Sequence, residues 1–129
     1  MKHKLIALSA ISGAISIILG AIAAHQLKNL LSESSLDAFD KAVKYQMFQS
    51  LFLVILGISC NSENHKVIKN VALLAFTGMC LFSLSIYLLS TQVITNINFS
   101  WLGPITPLGG LAMIVSWLLF AVKAKQIFK

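Results

Sequence analysis

From Asn70 to Val122 the chain carries no Lys, Arg, Asp, Glu or His, a run of 53 residues. Helical throughout, such a run would extend about 80 Å, against roughly 30 Å for the hydrocarbon core of a bilayer. It therefore has to fold back on itself. The polar patch Thr91–Pro104 in its middle is where the turn belongs. A soluble domain of this size would have no polar surface with which to cover that run. The run reads as two membrane spans that meet water without a charge to mark the place.

The rest of the chain fits the same medium. It has 129 residues, 57% of them hydrophobic, with ten lysines and four acids as its charged side chains. A membrane barrel needs alternating segments of about ten residues, whereas the apolar runs here are continuous and close to twenty long. The expectation is an all-α chain, an integral membrane four-helix bundle in one domain, 1–129. Its spans lie at about 5–24, 45–60, 70–90 and 105–123. The first could be a secretory signal, with its basic start and Ala21-Ile22-Ala23, but at about twenty residues it exceeds the 7–15 of a signal core. Ser9, Gly13, Ser16, Gly20 and Ala24 also recur along it at helix-packing spacing. An uncleaved span is the preferred reading.

His25–Lys44 holds three of the four acids, Glu33, Asp37 and Asp40. Ser32-Glu33-Ser34-Ser35 reads as a helix start, with a hydroxyl to cap free N–H groups and an acid against the positive end of the dipole. Leu36, Phe39, Val43 and Met47 then recur at three and four residues. This amphipathic helix is expected to lie partly in the headgroup layer and lead into the second span. Pro104 suits a first helical turn, where its missing N–H is not needed. Pro107 is tolerated there too.

Seven lysines (Lys2, Lys4, Lys66, Lys69, Lys123, Lys125, Lys129) fall on one side, and Lys28, Lys41 and Lys44 on the other. The positive-inside rule then puts both termini in the cytoplasm of a bacterial plasma membrane. The lysines sit at span ends without an aromatic-interleaved basic patch, so the expected partner is the lipid bilayer, with no nucleic acid. Cys60 and Cys80, twenty apart, read as small apolar fillers rather than a redox or metal pair.

No charged side chain falls within these spans, so the carboxylate that an ion-coupled exporter needs is missing. The neutral polar residues His25, Gln46, Gln49, Ser83, Tyr87 and Thr106 all fall towards the outer face. They would form either a shallow pocket opening outward or a set of interhelical hydrogen bonds. His25 would bond the last carbonyls of its helix, and His3 and His65 lie on the opposite side, so no metal site is expected. Gly13 and Gly20 would pack the first span closely. Gly109-Gly110 is expected to pack beside that same glycine row. No nucleophile arrangement or phosphate loop is present, no catalytic residue is named, and no cofactor is implied.

Several segments together resemble a known family. They are Gly20-Ala21-Ile22-Ala23-Ala24-His25-Gln26-Leu27, Val43-Lys44-Tyr45-Gln46-Met47-Phe48, Phe82–Leu89, and Ile105-Thr106-Pro107-Leu108-Gly109-Gly110 with Trp117 beyond. They resemble domain-of-unknown-function family 423, small bacterial inner-membrane proteins. The resemblance implies four spans and brings no activity, cofactor or substrate. That family often has His where this chain has Gln49, and Gly where it has Leu84. The leading expectation is a non-enzymatic structural or accessory module that packs against itself, as a homo-oligomer, or against another membrane protein. Its rival is an uncoupled carrier or binding protein for a small neutral or lipid-like molecule.

Overall fold

The computed structural model describes all residues, Met1–Lys129. Four helices are long and apolar enough to cross a membrane: α1 (Lys2–His25), α2 (Glu33–Ser59), α3 (His65–Thr95) and a fourth, α4, that occupies Ile105–Ile127 after a 3-10 turn at Ser100–Leu102. No strand is present.

Local chemistry sets the ends. Ser32 takes extended backbone geometry, and its hydroxyl accepts from the Ser35 N–H at 3.3 Å, with Glu33 in the first turn. The third helix runs past Leu89 and stops at Asn96, whose left-handed backbone (φ 57°) ends it. Asn adopts that conformation more readily than most residues. Pro104 stands at the N-cap of α4 and Pro107 within its first turn.

Helices α1 and α2 are antiparallel and close. An added methyl at Gly57 would meet Ile6, one at Gly13 would meet Ser50 and Met47, and one at Gly20 would meet Val43. The pairing advances seven residues at a time on each helix, which keeps one seam in contact along both. It also fixes depth: Phe39 to Ile58 lie alongside Leu5 to Ala24. The amphipathic start of α2 leads straight into the span, as expected. It continues the axis of the span, because Phe39 seals against Ala23 and Leu27 at the far end of α1. At 27 residues α2 would be about 40 Å long, so only its first two turns exceed a 30 Å core. Lys44 consequently stands level with Leu19, exposed, where its stem can run along the apolar surface and lift the ammonium towards water.

Helices α2 and α3 are the central pair, α1 packs along α2, and α4 packs along α3. At the end bearing the termini, Phe52, Leu56, Ile68, Val71, Met79 and Met113 share one core. There Asn64, buried, donates to the carbonyls of Ser59 and Ile127 (2.9 Å each) and accepts from the Asn61 N–H. One amide thus ties the α2–α3 loop to the last turn of α4.

The contact between α3 and α4 corrects one expectation. Gly109 does not pack beside the glycine row of α1. It lies against Gly78, Leu81 and Phe82 of α3, where an added methyl would fall 2.9 Å from the Gly78 carbonyl oxygen and nearer still to backbone atoms of Leu81 and Phe82. Gly110 faces the Phe82 ring. The α1 glycines are already occupied by α2, so they are not available to α4. At this crossing α3 widens into a π-helical segment, Cys80–Leu84. A π turn holds an extra residue and so rotates everything beyond it by about 100°.

Candidate functional site

The six polar residues grouped towards the outer face, as a pocket or as interhelical hydrogen bonds, are divided by the fold. Gln46, Ser83 and Tyr87 come together and line a groove of about 300 Å³ between α1 and α3. The Tyr87 ring rests on Phe39 (centroids 4.8 Å apart), and its hydroxyl donates to Gln46 Oε1 at 2.6 Å. Gln46 Nε2 donates to the Ser12 carbonyl at 3.0 Å. Ser83 donates to the Ala42 carbonyl at 3.0 Å. Ser50 Oγ lies 2.9 Å from Ser12 Oγ and 2.7 Å from the Gln46 carbonyl. Three helices are joined by this network, and the named bonds occupy both ends of the Gln46 amide. Buried polar groups in apolar surroundings pair in this way because leaving them unpaired is costly.

Two features of the cluster differ from the sequence reading. It is not shallow, because Ser12 sits near the middle of α1. It also lacks three of its proposed members. Thr106 pairs with Ser85 at 2.6 Å on the α3–α4 side. His25 is exposed at the end of α1 and reaches none of the others. Gln49 lies on the opposite side of the central pair. The physical reason is the seam: α2 is wrapped by α1, α3 and α4 at this depth, so residues three apart meet different neighbours. Ser12 and Ser50, which close the network, were missed. Ser12 is one of three serines in the first span, and small hydroxyls carry no spacing that tells which helix they face.

Gln49 borders a second and roomier groove. This groove, about 780 Å³, runs between α2 and α4 and is lined by Tyr45, Phe48, Phe52, Phe82, Ile114 and Trp117 among others. Its lining is almost wholly apolar. Trp117 stacks on Phe52 (centroids 4.1 Å apart, planes 15° apart) and donates its indole N–H to Gln49 Oε1 at 2.8 Å. That bond orients the amide, since the indole can only donate. Gln49 Nε2 is left buried with no partner, in a residue 2% exposed. By the α1–α2 seam Gln49 is level with Ala14, the middle of the first span. An amide N–H₂ donor without an acceptor at mid-bilayer depth is the one unsatisfied buried side-chain group in the protein.

The groove is open on one long side, where Ile114 and Leu118 are exposed. In a bilayer that side faces acyl chains. An apolar molecule can enter it laterally, without crossing water. The lining carries no charged group, so it suits a neutral occupant.

The model of the family described as "Protein of unknown function (DUF423)" matches residues 19–110. The chain is 37% identical over 117 residues to a UPF0382 membrane protein of Staphylococcus haemolyticus, covering 91% of each chain. It is 35% identical over 120 residues to the UPF0382 membrane protein YwdK of Bacillus subtilis, covering 92% of this chain and 94% of that one. A UPF0382 membrane protein of Haemophilus influenzae is 33% identical over 121 residues, covering 94% and 93%. No solved structure matches.

Proposed function

The chain belongs to the DUF423 family of membrane proteins, and from that premise we propose that it is a binding protein of the bilayer interior, holding a neutral apolar molecule in the α2–α4 groove. One observation carries the reading: the unpaired Gln49 Nε2 beside a large apolar cavity. Burying an amide donor without a partner costs about 1–3 kcal/mol. A ligand carbonyl would recover that cost. The donor is closed off from water, so the reading requires the groove wall to open when a ligand binds. The rival module reading draws on the glycine rows and on the lack of a catalytic constellation, and the glycines pack within the chain: Gly13 and Gly20 on α2, Gly109 and Gly110 on α3. No proton or ion coupling belongs to the reading, since the groove offers no titrating acid. No catalytic step is assigned to it.

The proposed setting is the bacterial cytoplasmic membrane with both termini inside. The fold supports it by gathering Lys2, Lys4, Lys66, Lys69, Lys123, Lys125 and Lys129 at one end. The test of function is native mass spectrometry of the protein purified from its own membranes in a mild detergent. Wild type should retain a small apolar molecule that is lost from Ile114→Phe, which fills the groove from its open side. The same set of retained molecules in both proteins would refute the reading. Recovery of a stoichiometric membrane-protein partner instead would restore the module.

A further inference from the structure

Building on the reading of the α2–α4 groove as a binding site, we propose that it takes the head of a quinone-like lipid, a planar neutral conjugated dicarbonyl on an apolar tail. Three features of the groove, taken together, select that chemistry.

Depth comes first. Gln49 is level with the middle of α1, and the ester carbonyls of phospholipids lie at the hydrocarbon boundary, about 15 Å away in a 30 Å core. A phospholipid held in the groove would present only methylene groups to Gln49. The acceptor must belong to a head that is itself soluble in hydrocarbon, which excludes charged and polyhydroxylated heads.

The second feature is polarity of the right kind. The unpaired atom is Nε2, a donor, while Oε1 is already engaged by Trp117. A carbonyl oxygen answers this donor and brings no O–H of its own to bury. The third feature is the wall. Tyr45 and Phe52 of α2, Phe82 of α3 and Trp117 of α4 line it with aromatic rings, Trp117 and Phe52 each keeping one face free of their mutual stack. An electron-poor conjugated ring packs well on electron-rich indole and phenyl faces, beyond what its buried area contributes. A saturated chain gains nothing from that arrangement. The volume, about 780 Å³, is within the ~300–1,000 Å³ of small-molecule sites and leaves room for the first part of a tail.

The test uses the full chain in phosphatidylcholine nanodiscs with decylubiquinone as the probe, because quinones quench tryptophan emission. The background is Trp101→Phe, so that emission reports Trp117 alone. Quenching should saturate as quinone is added, and Gln49→Leu should raise the half-saturating quinone-to-lipid ratio at least tenfold while the variant melts as a folded protein. Ile114→Phe, with Gln49 intact, should give the same loss. A Trp117→Phe protein, which reports from Trp101 at the loop, should show only unsaturated, proportional quenching. Proportional quenching at Trp117 as well, or saturation unchanged by both groove variants, would overturn the assignment. Two further arms separate this failure from that of the binding-site reading. If 1-decanol or phosphatidylglycerol displaces the quinone at equal mole fraction, the dicarbonyl preference is wrong and the groove remains a binding site. If nothing saturates and mass spectrometry finds no retained molecule, both fall.

Discussion

Gly109 is the position at which a single methyl group should do the most damage. A Cβ there would lie 2.8 Å from the Leu81 carbonyl carbon and 2.9 Å from the Gly78 oxygen, with the Phe82 nitrogen closer still. Real Cβ contacts essentially never fall under 3.0 Å, and every atom in the way is backbone, so no rotamer change relieves the clash. Helices α3 and α4 must separate, in the stretch where α3 is already π-helical. Overpacking costs about 1–3 kcal/mol, and the rigid backbone places Gly109→Ala at the upper end. Ala returns about 1 kcal/mol through helix propensity, leaving a net loss near 2 kcal/mol. Gly13 is the matched control. Its added methyl finds Ser50 Cβ at 3.7 Å and Met47 sulfur at 3.8 Å, ordinary contact distances. Gly13→Ala should therefore be neutral or gain up to about 1 kcal/mol. The two isosteric variants should differ by about 2–3 kcal/mol, or roughly 30- to 150-fold in the unfolding equilibrium. Steric trapping of the unfolded state in bicelles measures this directly. Equal effects at the two positions, or a Gly109→Ala loss under about 0.5 kcal/mol, would refute the backbone-contact argument.

Further outcomes follow from single contacts. Tyr87→Phe removes one hydroxyl from the α1–α2–α3 network and should cost about 0.6 kcal/mol, the average for interhelical bonds in membranes, measured in the same equilibrium. Asn64→Ala frees the Ser59 and Ile127 carbonyls; it should cost about 1–3 kcal/mol and speed tryptic cleavage at Lys123 and Lys125 several-fold. Asn96→Gly should be neutral or stabilising and Asn96→Val should cost about 1–2 kcal/mol, because φ is 57° there; thermal unfolding in detergent reads both. With Cys60 and Cys80 replaced, a cysteine at Asn98 should react with an impermeant thiol reagent in intact cells, and protection there with labelling at Asn61 would reverse the orientation.

The spans were legible because they depend on composition alone. The uncharged run from Asn70 to Val122 did become two antiparallel helices, and Ser32 and Pro104 did mark helix starts. What could not be read was which face of each helix meets which neighbour. In water the polar face of a helix points outward and reveals the core face. In lipid both faces are apolar, and α4 is apolar all round, so periodicity carries no such information. Hence nothing in the sequence tells that Gly109 packs on α3 rather than on α1. The lead into the second span is legible in Leu36, Phe39, Val43 and Met47, while its register against α1 comes only from the Gly20–Val43 and Phe39–Ala23 contacts.

Gln46 and Gln49 bring these strands to a test. They are the same residue type, three positions apart on one helix, and both buried. From sequence they were one feature. In the fold Gln46 has its donor and its acceptor both engaged by α1 and α3, whereas Gln49 has its acceptor engaged by Trp117 and its donor by nothing. Their replacements should therefore differ in kind. Gln46→Leu breaks the amide's bonds to Ser12 and Tyr87 and leaves the Tyr87 hydroxyl unpaired, so it should cost about 1–2 kcal/mol of stability and leave ligand retention unchanged. Gln49→Leu removes an unsatisfied donor while leaving the indole N–H without its acceptor. These effects oppose one another, so stability should stay within about 0.5 kcal/mol of wild type while retention falls. Paired measurement of unfolding and ligand retention on the two variants separates a packing amide from a recognition amide. If both glutamines moved only stability, the α2–α4 groove would be a packing defect rather than a site.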